Sequence, residues 1–111
     1  MKRERTYTAN IYVGLHCEKP VDIARKVAVG ICESYCKNGL CVSIMDTTFV
    51  HTDGSEPGLV IGLINYPRFP VMPGVLRRIA RDLAELLKEG LEQERVSVVF
   101  PDETIMLEED E

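Results

Sequence analysis

The segment from Leu59 to Tyr66 constrains the fold more than any other. Leu59, Ile61 and Leu63 alternate with Val60 and Ile64, so the segment is apolar on both faces. A strand of this kind is buried on both sides, and the chain must supply or recruit cover for each face. Its flanks sharpen the constraint. Thr52 to Gly58 reads as a turn, with Asp53-Gly54 and Pro57-Gly58 as its pivots. Pro67, Pro70 and Pro73 forbid regular structure between residues 67 and 73, which leaves a stiff loop leading into a helix.

The rest of the chain alternates in kind. Tyr7 to Leu15 reads as a strand, with Ala9, Ile11, Val13 and Leu15 on one face and Thr8, Asn10, Tyr12 and Gly14 on the other. Lys19-Pro20 opens a helix that runs to about Lys37, with Ile23, Val27, Ile31 and Tyr35 in line and Ala24 and Ala28 beside them. Asn38-Gly39 is its stop. Cys41 to Val50 is a strand rich in β-branched residues. A second helix runs from Pro73 or Gly74 to Glu89, with a stripe of Val75, Leu76, Ile79, Ala80, Leu83, Leu86 and Leu87, and Gly90 near its end. Arg95 to Phe100 is a fourth strand, and Thr104 to Leu107 can add a short fifth.

The order is therefore β-α-β-β-α-β, an α+β two-layer sandwich in one domain over residues 1–111, with frayed charged ends at 1–6 and 108–111. Right-handed crossovers place both helices on one face of a four-stranded sheet. The other face then lies open. It carries Thr8, Asn10 and Tyr12, then Val60, Gly62 and Ile64, then Ser97 and Val99. Its centre is too apolar to face water, so a second copy of the chain is the expected cover. Tyr12, Val60, Ile64 and Val99 are the expected interface residues of a homo-oligomer, a trimer first and a dimer second.

This order fits a ferredoxin-like fold, and it also resembles the tautomerase superfamily, in particular its macrophage migration inhibitory factor branch. The resemblance is carried by Gly54-Ser55-Glu56-Pro57 before an apolar strand, then a loop, a helix and Arg95-Val96-Ser97-Val98-Val99-Phe100. It spans residues 42 to 107. It implies a trimer whose sheets line a central barrel, with pockets between subunits. That family's catalytic residue is an amino-terminal proline. This chain begins Met1-Lys2 and holds no proline through Tyr7, so the residue has no counterpart.

Overall totals exclude several classes. With 111 residues there is room for one core, and 45% apolar content argues against disorder. A net charge of −5 disfavours nucleic acid as a partner. The longest uncharged run, Gly58 to Pro67, is too short to span a membrane, and no apolar run follows the basic start. A cytoplasmic location is the corresponding expectation.

Chemistry-bearing residues are sparse. Cys32 and Cys36 share a helix face and Cys41 follows the helix stop, but C-x3-C-x4-C is not a usual zinc pattern, so no metal is expected and the thiols read as packed and reduced. Cys17, His16 and His51 carry no recognisable nucleophile motif. No catalytic residue is assigned. No P-loop or dinucleotide fingerprint is present, and no cofactor is expected. Arg68, Arg77, Arg78 and Arg81 form the densest basic group, close to the start of the second helix. Tyr66, Arg68 and Phe69 on the proline-stiffened loop, with Arg77, are the expected ligand-binding residues, suited to a small anion. The reading that follows is a non-catalytic oligomeric domain that binds a small ligand or a partner, with a tautomerase-like isomerase as the alternative.

Overall fold

The structure is a computed structural model and describes residues 1–15, 20–36, 40–68 and 70–108. Its elements are β1 (Thr8–Gly14), α1 (Val21–Tyr35), β2 (Val42–His51), β3 (Gly54–Ile64), α2 (Pro73–Gly90), β4 (Arg95–Val99) and β5 (Thr104–Glu108). One five-stranded sheet has the order β2-β3-β1-β4-β5, and every neighbouring pair is antiparallel. The interleaving of β1 between β3 and β4 is that of a split β-α-β unit. The short last strand forms and pairs with β4, so Glu108 belongs to the sheet.

Period two sets the two faces of the sheet. Ala9, Ile11, Val13, Leu59, Ile61, Leu63 and Val98 point toward the helices and are fully buried. From the helices, Ala24, Ala28 and Cys32 of α1 and Leu76, Ala80, Leu83 and Leu87 of α2 meet them. The α1 stripe is turned by one residue from the expected line. The small side chains face the core, whereas Ile23 is 49% exposed. Small residues let a helix approach a sheet closely, and that gain outweighs burying the larger Ile23. Arg25 of α1 bonds Asp46 of β2, with its Nε 2.9 Å from Asp46 Oδ1, and so fastens the helix to the edge strand.

Two glycines depart from the expected reading. Gly90 keeps a helical conformation and lacks a side chain because Ile31 of α1 lies over it. The left-handed residue after α2 is Glu92, with φ of 57°. The turn expected over residues 52 to 58 shrinks to Thr52-Asp53, and Gly54 holds the positive φ of 139°. Pro57 lies inside β3, opposite Thr48. Its carbonyl accepts from Leu15 N at 2.9 Å, so its missing N–H faces the same side and costs the β2 ladder nothing. The β2–β3 pair consequently outruns β1, whose last partner is Gly58. The outer residues form a two-stranded arm, and the molecule measures 46 × 28 × 28 Å.

Candidate functional site

The loop after β3 is pinned by one asparagine. Asn65 donates from its backbone to Tyr7 O (3.0 Å) and from Nδ2 to Arg5 O (2.9 Å). Its Oδ1 accepts from Val71 N at 2.7 Å, which ties the two ends of the loop together. Tyr66 is half-buried and lies near Cys41, just ahead of β2. Burial and then that thiol raise the phenol's pKa. Arg68 is exposed on the turn, and Phe69 lies outside the described residues.

Arg77 is drawn to the other flank of the sheet. Its Nη1 donates to the Tyr7 hydroxyl (2.6 Å) and to Asp102 (3.0 Å), and its Nη2 lies 2.8 Å from Glu103. Its guanidinium sits 4.1 Å above the Phe100 ring. These contacts, Tyr7 first, raise its pKa. Arg77 thus clasps α2 to the β4–β5 turn. Tyr66 and Arg77 therefore face different partners, beside β2 and beside β5, and the structure does not gather them around one cavity. Arg77, Arg78 and Arg81 line one cleft of about 370 Å³ with Asp82 and Glu85, at the start of α2, so the cations there meet acids.

The face of the sheet away from the helices is built as expected from the alternation. Register pairs place Ser43, Gly62, Asn10, Val99 and Thr104 in one row, and Met45, Val60, Tyr12, Ser97 and Met106 in the next. Val60 is 8% exposed although no layer covers it, whereas Met45, Ile64 and Met106 remain 55%, 40% and 52% exposed. This is an apolar surface with its centre already shielded by its own neighbours.

Where the arm leaves the sheet, this face forms a corner. Phe49 of β2 packs across Gly58, where a Cβ would come within 2.8 Å of its Cδ2. Its ring meets Tyr12 edge-on, with centroids 6.2 Å apart and planes at 60°. Glu56 is the direct cross-strand partner of Phe49, so its carboxylate rises from the same face. Beside it, Gly62 leaves a shallow floor over which Ser43 Oγ and Asn10 Oδ1 lean, 2.8 and 3.2 Å from where a Cβ would stand. Two rings, a carboxylate and nearby amide and hydroxyl groups make a surface suited to a cationic or heteroaromatic ligand. Sequence reasoning missed Phe49 and Glu56, because it placed residues 52 to 58 in a turn. A two-residue turn at Thr52-Asp53 was the signal that sets them opposite each other.

The remaining candidates fall elsewhere. Cys32, Cys36 and Cys41 line a cleft of about 570 Å³ at the end of α1. Burial pushes the Cys32 thiol up to about 11, and burial followed by Cys41 raises Cys36. Among the described residues, no three His, Cys, Asp or Glu side chains are placed to hold a metal ion. His51 is exposed at the tip of the arm, opposite Gly54. His16 and Cys17 lie outside the described residues. No described helix is long and apolar enough to cross a membrane.

No protein-family model matches the sequence, and no curated protein matches it. Solved structures do. A phage SAM lyase in its apo state superposes with a TM-score of 0.72 at 18% identity, covering 95% of this chain and 90% of that one. A phage SAM lyase in complex with S-methyl-5'-thioadenosine gives 0.62 at 15% identity, covering 94% and 90%. The chain has the fold of these proteins. The resemblance to the tautomerase superfamily is thereby overturned. It rested on Gly54–Pro57 and Arg95–Phe100, short segments that many β-α-β-β-α-β chains can supply, and the real pairing sets β1 antiparallel to both its neighbours. The non-catalytic reading and its tautomerase-like alternative fall with it, since both fold neighbours are enzymes.

Proposed function

We propose that this chain is an enzyme that cleaves S-adenosylmethionine and releases S-methyl-5'-thioadenosine. The carrying observation is the superposition on phage SAM lyase over 95% of this chain and 90% of that one. S-methyl-5'-thioadenosine retains both the methyl group and the ribose carbon on sulfur. Reaching it from S-adenosylmethionine therefore breaks the third bond of the sulfonium, the one to the aminobutyrate arm. The electron pair of that bond stays on sulfur, the substrate's own carboxylate closes on the carbon left behind to form a lactone, and a sulfonium cation becomes a neutral thioether.

The corner at the base of the arm suits this chemistry. The rings of Tyr12 and Phe49 can hold a sulfonium against an aromatic face or stack on adenine. Glu56, half-buried beside them, offers a carboxylate to the cationic end of the substrate. An apolar setting favours the loss of charge on bond breaking, because a poorly solvated cation is the costlier state. A second copy of the chain over this face would supply that setting. We assign Tyr12, Val60, Ile64 and Val99 to such an interface, extended by Met45 and Met106, in a trimer or else a dimer.

Chromatographic assay of S-methyl-5'-thioadenosine tests the assignment of residues. Glu56→Gln and Phe49→Ala should each lower its formation by at least about tenfold, the scale of a lost charge-assisted bond or aromatic contact. Variants that turn over at the wild-type rate would move the site off this face.

A further inference from the structure

Three cysteine side chains open into one cleft beside Leu40 and Val42, at the junction of α1 and β2. Cys36 is the residue that ends α1, and its N–H bonds Cys32 O at 2.7 Å. Cys41 is exposed, whereas Cys36 is half-buried and Cys32 buried. We propose that Cys36 and Cys41 form a reversible redox pair, oxidised by hydrogen peroxide to a disulfide that joins the end of α1 to the start of β2.

The surroundings set the order of steps. Cys41 meets the oxidant first, because it is the exposed thiol of the pair. Its sulfur attacks one peroxide oxygen, the O–O bond breaks, and the other oxygen leaves as water, which gives the sulfenic acid. Cys36 is held protonated by burial and by negative charge on Cys41. The second influence disappears once Cys41 is a neutral sulfenic acid. The Cys36 sulfur then attacks it, the S–S bond forms, the S–O bond breaks, and hydroxide leaves with the Cys36 proton as water. The balance is two thiols and one peroxide to one disulfide and two waters.

Cys32 stays outside the pair. It stands one helical turn from Cys36, where side chains have Cβ atoms about 5–6 Å apart, against about 3.5–4.5 Å in a disulfide.

The test is peroxide treatment of the whole chain, alkylation of remaining thiols, and non-reducing peptide mapping by mass spectrometry. The expected result is a single Cys36–Cys41 linkage that dithiothreitol reverses. It should vanish in Cys36→Ser and in Cys41→Ser and persist in Cys32→Ala. A linkage that includes Cys32 would overturn the proposal. So would Cys41 running on to sulfinic acid while Cys36 remains open to alkylation, or no oxidation of either thiol.

Discussion

Gly58→Ala places a methyl group where the structure has no space for one. The new Cβ would stand 2.7 Å from Val13 O and 2.8 Å from Phe49 Cδ2. Phe49 can swing aside, but the carbonyl belongs to the β1 backbone, paired with β3 on either side of this point. Overpacking of this kind costs about 1–3 kcal/mol. A chain of 111 residues has an unfolding entropy of about 0.23 kcal/mol/K at roughly 2.1 cal/mol/K per residue. The melting temperature should therefore fall by about 4–13 °C. Gly30→Ala is the internal control. Gly30 lies in α1 with nothing within 4 Å of a Cβ, so alanine there should stabilise by about 0.5–1 kcal/mol through helix propensity. Calorimetry of both variants decides the matter. If Gly58→Ala melts at or above the wild-type temperature, the close packing of Phe49 over β3 is wrong, and the ligand corner built on it goes too.

Three further expectations follow from other parts of the molecule. Val99→Asp buries a carboxylate in the proposed subunit interface, so sedimentation should show smaller species than wild type; unchanged sedimentation would place the interface elsewhere. Arg77→Ala removes the clasp on Tyr7, Asp102 and Glu103 and should melt below Arg78→Ala, with Arg77→Lys between them because an ammonium cannot span the same fork; equal melting of all three would refute the clasp. Cys32 has a folded pKa raised from 9.0 to about 11, so its contribution to stability is complete below the lower value and is lost as pH climbs through the upper one. Denaturant titrations should show stability declining more steeply across that window in wild type than in Cys32→Ala, and parallel curves would count against it.

The fold was legible where one side-chain period dominates. Alternation in β1, β3 and β4 placed Ala9, Ile11, Leu59 and Ile61 in the core and Tyr12, Val60 and Val99 on the open face, and the register agrees. The helices were found but their faces were turned. Large apolar residues mark a stripe in sequence, whereas close packing on a sheet selects the small Ala24 and Ala28. Gly90 looked like a helix stop, and only the neighbouring helix reveals that its lack of a side chain makes room for Ile31. The corner of Tyr12, Phe49 and Glu56 was hidden for a similar reason. Its members come from three strands, and their meeting depends on a register that Pro57 disguised as a turn. Tyr66 was picked out for its stiff loop, but its neighbour Cys41 comes from a segment remote in the chain.

The most direct test of the account is to incubate the protein with S-adenosylmethionine labelled in its methyl group and to follow the label by chromatography. Cleavage at the bond to the aminobutyrate arm predicts that the label accumulates in S-methyl-5'-thioadenosine, in step with loss of substrate and with protein concentration. Recovery of the label in intact S-adenosylmethionine, or its transfer to an acceptor without release of the thioadenosine, would contradict the proposed function.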